Sequence, residues 1–412
     1  MTALPDSDSS AFSDADLLRW RAEFPILETT NYLVSNSLGA MPRGVYDSLR
    51  AYADTWATRG VRAWGEGWWD MNAELSNRIA PIIGAAPNSV SIHQNISLAL
   101  SVLLSCFDFD AAARSGRDKV VSTDMIFPSV YYVLRETLPT AITLELVPNS
   151  DGIGIDLDRL IDAIDERTLF VSLDHVFFRT AYIVDAARVI EKAHKVGAFV
   201  ILDAYHSAGI VPLDVTALNV DYALAGVLKW MCGGPGGVFL YVRPDHLSTL
   251  RPKLTGWQAH KRPFAFEVDP VDLRDDSFRM LSGTPAVPSL HAIAPGIDII
   301  SAVTVAAIRQ NSMRQTALLI ELADAAGFPI HSPRDPARRG GTVTVNPPHA
   351  YEVSRELLAR GVIIDYRANA GIRISPHFYN TDAEIRAALT TISDILDSGA
   401  WQQHTDARAF VT

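Results

Sequence analysis

The chain is poor in cysteine, with Cys106 and Cys232 the only two in 412 residues, and they lie far apart without metal-ligand spacing. That excludes a disulfide framework and fits a reducing compartment. Its apolar runs stop well short of the ~20 residues that a membrane-spanning helix requires. There is no excess of positive charge either: Lys and Arg number 36 against 47 Asp and Glu, a formal charge of -11. Nucleic acid and anionic membrane are therefore poor partners for this surface. The first residues, MTALPDSDSSAFSDAD, are acidic and serine-rich, without the basic start and apolar core of a secretion signal. They read as disordered up to about Ser13, and the chain as cytoplasmic. Internal repeats, low-complexity blocks and Gly/Ser linkers are also missing.

What is present is a hydrophobic content of 48%, enough for a large domain and a smaller one, each with its own core. Short apolar runs alternate with helical patterns through roughly the first 285 residues, which argues for a mainly parallel sheet covered by helices on both faces. The pattern centres on Phe199 to Tyr241. Phe199-Val200-Ile201-Leu202 reads as a buried strand ending on Asp203. A second run, Tyr222 to Val227, leads to Lys229 and the glycines Gly233, Gly234, Gly236 and Gly237. A carboxylate at one strand end and a lysine after the next suggest one site at a sheet edge. Pyridoxal phosphate requires this pair: the amine forms an imine with the cofactor aldehyde, and the carboxylate keeps the pyridine nitrogen protonated. Leu228, Trp230 and Met231 flank Lys229 with apolar surface that would lower its pKa. Taken singly, a strand-ending Asp is an ordinary turn former and a Lys before glycines an ordinary solvated residue; their conjunction carries the reading.

The run DAYHSAG, VPLDV and LKWMCGGPGG resembles the core of kynureninases, in the class V aminotransferase superfamily of type I pyridoxal-phosphate enzymes. Further stretches fall in the family's order: NSLGAMP at Asn36, FPS at Phe127, GWQAH at Gly256, GTP at Gly283, and DYR with IRISP from Asp365. The resemblance covers nearly the whole chain. It implies a seven-stranded, mainly parallel large-domain sheet with a smaller α+β C-terminal domain. The division read here is an arm over 1-45, a cofactor domain over 46-295 and a small domain over 296-412, joined by a long helix near 296-325.

By the same resemblance, Ile96 and Ser97 lie at a helix start that holds the cofactor phosphate, Ile96 through its N–H alone. Phe127 stacks on the cofactor ring, His206 sits beside it, and the Trp257 indole reaches the phosphate. Thr284 reaches the phosphate from a neighbouring subunit, which implies a homodimer with shared sites. Asn36 and Ser37 belong to a substrate-side segment. Read from the residues themselves, Trp64 in AWGEGWWD suits the wall of an aromatic substrate pocket as well as a core or a dimer contact. Arg373, between Ile372 and Ile374, offers a planar fork for the α-carboxylate of a small amino-acid substrate. Three positions depart from the family: Val130, Phe177 and Leu228 stand where polar residues are usual, the last replacing a tyrosine.

The implied activity is hydrolytic cleavage of the Cβ–Cγ bond of kynurenine or a related amino acid. The departures keep other chemistry open on the same scaffold: β-elimination from an S-conjugated cysteine, decarboxylative deamination, transamination or epimerisation. A cofactor-binding regulator without catalysis is a third possibility, which the presence of Lys229, Asp203 and Arg373 disfavours.

Overall fold

The computed structural model describes residues 14–149 and 151–405. The expectation of disorder up to Ser13 therefore lies outside the described residues. An α-helix covers Asp14–Leu18, then a 3-10 turn covers Arg19–Glu23. Pro25 follows, and the chain turns so that Phe24 packs on Phe378 and Tyr379.

Seven strands form the central sheet in the order Val90–His93, Val238–Val242, Tyr222–Gly226, Phe199–Asp203, Thr168–Asp174, Lys119–Thr123, Thr143–Val147. All neighbours run parallel except those of Val238–Val242, which is antiparallel to both sides. The strands Tyr222–Gly226 and Thr168–Asp174 are buried at every residue, as expected where helices cover both faces. Ala186–Lys195 is one of the crossover helices, with its N-terminus capped by the Asp185 side chain.

The expected single helix near 296-325 is two helices, Val287–Val303 and Val305–Ala325, bent by 79°. Thr304 makes the break: it sits at φ 70°, and its hydroxyl caps the second helix by accepting the Ala307 N–H at 3.3 Å. Three β-branched residues in a row, Val303-Thr304-Val305, disfavour continuation there. The 295 boundary falls inside the first of these helices. Among the described residues no single helix is long and apolar enough to cross a membrane.

Beyond this bend, Val343–Val345, Asp365–Arg367 and Gly371–Ile374 make a small antiparallel sheet with its own hydrophobic cluster. The N-terminal segment joins it. Asn31–Tyr32 pairs in parallel with Val362–Ile363, and Leu33 is buried in the C-terminal cluster. The segment that follows is thereby carried across to the edge of the large sheet.

Candidate active site

Asp203 and Lys229 lie at the C-terminal ends of adjacent strands because Phe199–Asp203 and Tyr222–Gly226 are parallel neighbours. The loop after Gly226 brings the lysine back over the sheet edge. Other segments clamp this loop. The Gly39 N–H donates to the Leu228 carbonyl at 2.8 Å, and any Cβ at Gly39 would collide with the Lys229 carbonyl. From the other side Gly296, on the helix Val287–Val303, packs on the Met231 and Cys232 carbonyls with the same lack of room.

A cavity of about 400 Å³ opens here. Ser37, Asn95, Ile96, Ser97, Phe127 and Ser129 line it from one set of loops. Asp203, Tyr205, His206, Leu228, Lys229, Arg367 and Arg373 line it from the others. The Lys229 Nζ is 2.5 Å from His206 Nε2 and lies 5.7 Å from the Phe127 ring centroid and 4.8 Å from that of Tyr205. Burial, reinforced by the positive charge of Arg373, lowers the lysine pKa to about 7. The same burial, with Lys229 and Arg373 nearby, holds His206 well below the usual imidazole value, so it accepts as a neutral ring.

Asp203 is pushed upward by burial, against the pull of the Tyr205 N–H, which donates to Oδ1 at 2.8 Å, and of Lys229. Its register partner on the next strand is a second carboxylate, Asp174. Burial first and the Asp203 charge second raise Asp174 well above its ordinary value, so within the pair Asp174 is the carboxyl that more readily takes a proton. Sequence reasoning passed over Asp174, although an acid ending each of two successive strands was a signal.

Arg373 reaches the cavity with part of its guanidinium engaged. Its Nε donates to Asp365 Oδ1 at 2.7 Å, its Nη2 to Asp365 Oδ2, and its Nη1 to the Phe178 carbonyl at 2.6 Å. The hairpin explains this: Asp365 and Arg373 are directly opposed in the antiparallel pair. Asp365 also bridges to Arg367 at 3.0 Å. Two guanidinium groups thus share one carboxylate at the cavity wall.

The other residues singled out in the sequence are placed differently. Asn36 is fully buried, with neither amide atom hydrogen-bonded among the described residues. Trp64 lies in another hollow with Tyr52, Trp56 and Trp68. Thr284 lines that hollow and a further cavity of about 330 Å³ that also contains His93, Gln94 and Gln258. Trp257 does not line the Lys229 cavity; its indole N–H donates to the Pro263 carbonyl at 2.5 Å. Of the departures, Val130 is buried against the core, and Phe177 is buried and stacked on Tyr182 at 5.5 Å. Only Leu228 faces the cavity. Asn95, Ser129, Tyr205 and Arg367 are lining residues that the sequence reading missed.

The cavity therefore offers a poorly protonated amine, a buried carboxylate, aromatic faces and the start of the helix Ile96–Leu104, whose Asn95 cap accepts the Leu98 N–H at 3.0 Å. Such a set suits an aromatic aldehyde bearing an anionic group. Comparison with known proteins agrees. The family model for class V aminotransferases matches residues 31–390. A kynureninase of Pseudomonas fluorescens is 33% identical over 395 residues, covering 93% of each chain. One from Burkholderia mallei is 32% identical, covering 97% of each. Among solved structures, an apo cysteine desulfurase from Thermococcus onnurineus superposes with a TM-score of 0.81 at 21% identity, covering 92% of this chain and 98% of that one. The cystine C–S lyase C-DES, in a variant with glycine covalently linked to its pyridoxal-phosphate cofactor, gives 0.81 at 20% identity over 91% of this chain and 99% of that one. These two likenesses concern the fold.

Proposed function

This chain belongs to the class V aminotransferase family and is a pyridoxal-phosphate enzyme of amino-acid chemistry; from that premise we propose that it hydrolyses the Cβ–Cγ bond of kynurenine or a close relative, releasing alanine and an aromatic acid. The observation that carries the reading is the likeness to kynureninases over more than nine-tenths of both chains.

The residues of the Lys229 cavity fit the cofactor. Lys229 is the lysine that holds it, Asp203 the carboxylate facing its ring nitrogen, Phe127 an aromatic face, and Ile96 and Ser97 the helix start for its phosphate. A buried carboxylate raised by desolvation gains a cationic partner when a protonated ring nitrogen arrives, which answers the cost of burying Asp203. When bound, the group supplies an electron-accepting ring that makes the substrate Cα–H acidic.

Lys229 Nζ, released when the substrate amine takes its place on the aldehyde carbon, then takes the Cα proton, since burial leaves an amine with a pKa of about 7 half free at neutral pH. His206 Nε2, at 2.5 Å, steadies the amine by accepting its N–H. Arg373 orients the α-carboxylate with the donors that Asp365 and Phe178 leave over, three of five being engaged. Asp365 holds that guanidinium in one plane, and Ser37 borders the substrate end. Water adds to the side-chain ketone, and the Cβ–Cγ bond breaks with the acyl carbon leaving as carboxylic acid, while Cβ keeps the electron pair and takes a proton to become the methyl group of alanine.

The enzyme works as a cytoplasmic homodimer in which Thr284 of one copy completes the site of the other, with Trp64 and Trp257 at the shared face. What supports this is apolar surface: Trp56, Val61, Phe264 and Phe266 are exposed, as suits a face that meets a partner. Residues 1-45, 46-295 and 296-412 serve as arm, cofactor domain and small domain. Incubating the holoenzyme with kynurenine and assaying alanine and the aromatic acid tests the activity. Equimolar appearance of both supports it, and release of pyruvate and ammonia, or of carbon dioxide, would assign elimination or decarboxylation instead.

A further inference from the structure

Tyr205 is a second aromatic wall of the cavity, within reach of Lys229 Nζ as Phe127 is, and its hydroxyl has no hydrogen-bond partner among the described residues. The ring packs on the cluster containing Ile96 and Leu224. Its phenol end lies over Gly226, the last residue of Tyr222–Gly226, where a Cβ would overlap Cζ and Oη. Room for this phenol exists only because residue 226 has no side chain. The helix Ile96–Leu104 packs on that strand, so the hydroxyl stands on the side of the sheet where the helix begins.

At that helix start the N–H groups of Ile96 and Ser97 and the Ser97 hydroxyl are likewise without partners among the described residues, while the Asn95 side chain is spent on Leu98. Leu228, immediately before the lysine, contributes no polar atom. Burial, with the nearby Asp203 charge, raises the Tyr205 pKa, so the phenol keeps its proton and is a donor at neutral pH.

We propose that the Tyr205 hydroxyl donates to the phosphate of bound pyridoxal phosphate, completing the cradle begun by Ile96 and Ser97, and that Gly226 is the residue that admits it. This rests on the assignment of the Lys229 cavity to the cofactor. Tyr205 thereby restores to this site, from a neighbouring strand end, a phenol that position 228 does not supply.

The phosphate is the part of the cofactor that pyridoxal lacks, so the two aldehydes separate a phosphate contact from a ring contact. Cofactor-free protein, wild type and Tyr205→Phe, is titrated with each and the dissociation constants are read from absorbance. Loss of one donor to a charged acceptor should weaken pyridoxal phosphate roughly 10- to 100-fold while leaving pyridoxal within about twofold. The absorbance maximum of the bound form should not move. Gly226→Ala, which drives a methyl group into the phenol, should reproduce the selective loss if it folds. Equal weakening of both aldehydes would reduce Tyr205 to a packing residue and overturn the proposal, as would no weakening of either. If the wild type itself fails to take the cofactor at Lys229, the site assignment falls too; a wild type that takes it and a Tyr205→Phe variant that matches it sink the phenol alone.

Discussion

The Lys229 cavity and the face around Trp257 and Thr284 are built on opposite principles. Around Lys229 the ionisable groups are held by others from the same chain: amine by imidazole, Asp203 by the Tyr205 N–H, guanidinium by Asp365. All are buried, and burial shifts the amine and the carboxylates away from their ordinary pKa values. Around Trp257 the groups are exposed, with Trp257 itself 41% and Phe266 73% accessible, and they contact one another as an aromatic cluster with Trp69 and Phe264. The ionisable groups are thus held within one chain, whereas the second region offers aromatic contact surface and the cavities that Thr284 lines.

The largest blow to this contrast comes from the first region. Lys229→Ala should remove the absorbance band of the covalently held cofactor and lower turnover by about three orders of magnitude or more, as expected when a nucleophile and its proton-transfer role vanish together. Retention of the band, or borohydride labelling of a different lysine, would move the site elsewhere.

A smaller signal tests whether the second region serves a neighbour. Thr284→Glu places a carboxylate where an anion is expected and should be nearly inactive alone. Mixed and reassociated with Lys229→Ala, it should recover activity toward about a quarter of wild type, because random pairing gives half hybrids, each with one intact site. Two inactive variants that stay inactive after verified subunit exchange would show that each chain works unaided.

The subtlest prediction concerns tuning alone. In cofactor-free protein the Lys229 amine should be trapped by a small neutral aldehyde and borohydride with a rate half-maximal near pH 7, falling below that pH as the amine protonates and levelling above it. An ordinary lysine would still be rising several pH units higher. A midpoint near 10 would mean that burial does not shift this amine, and the contrast between the two regions would lose its electrostatic half.

How much of this was legible in the sequence differs between the regions for the same physical reason. Asp203 and Lys229 could be read because each closes a short apolar run, and parallel neighbours bring such ends together. The pairing of Arg373 with Asp365 could have been read from the hairpin, since strands at 365–367 and 371–374 around a short turn oppose those two residues. Tyr205 could not, because its importance depends on the empty position at Gly226, on a different strand. Nor could sequence say that Val130 and Phe177, conspicuous as apolar replacements, would be absorbed by the core while Leu228 alone met the cavity. Side-chain direction after a strand end is set by packing from elements far away in the chain. The bend at Thr304 was hidden because residues on both sides of it have helical patterns.

The clamp on the lysine loop has a consequence for the order in which the protein is made. Gly39 precedes the loop, but Gly296, which packs on the Met231 and Cys232 carbonyls, and Arg373, whose charge opposes that of Nζ, both follow it. A ribosome therefore releases Lys229 into water long before it has produced the residues that make this lysine special. Until then the amine has the basicity of any other and stays protonated, poorly able to attack stray aldehydes in the cell. Reactivity is conferred at the end of synthesis, by the last third of the chain closing over a residue made near the middle.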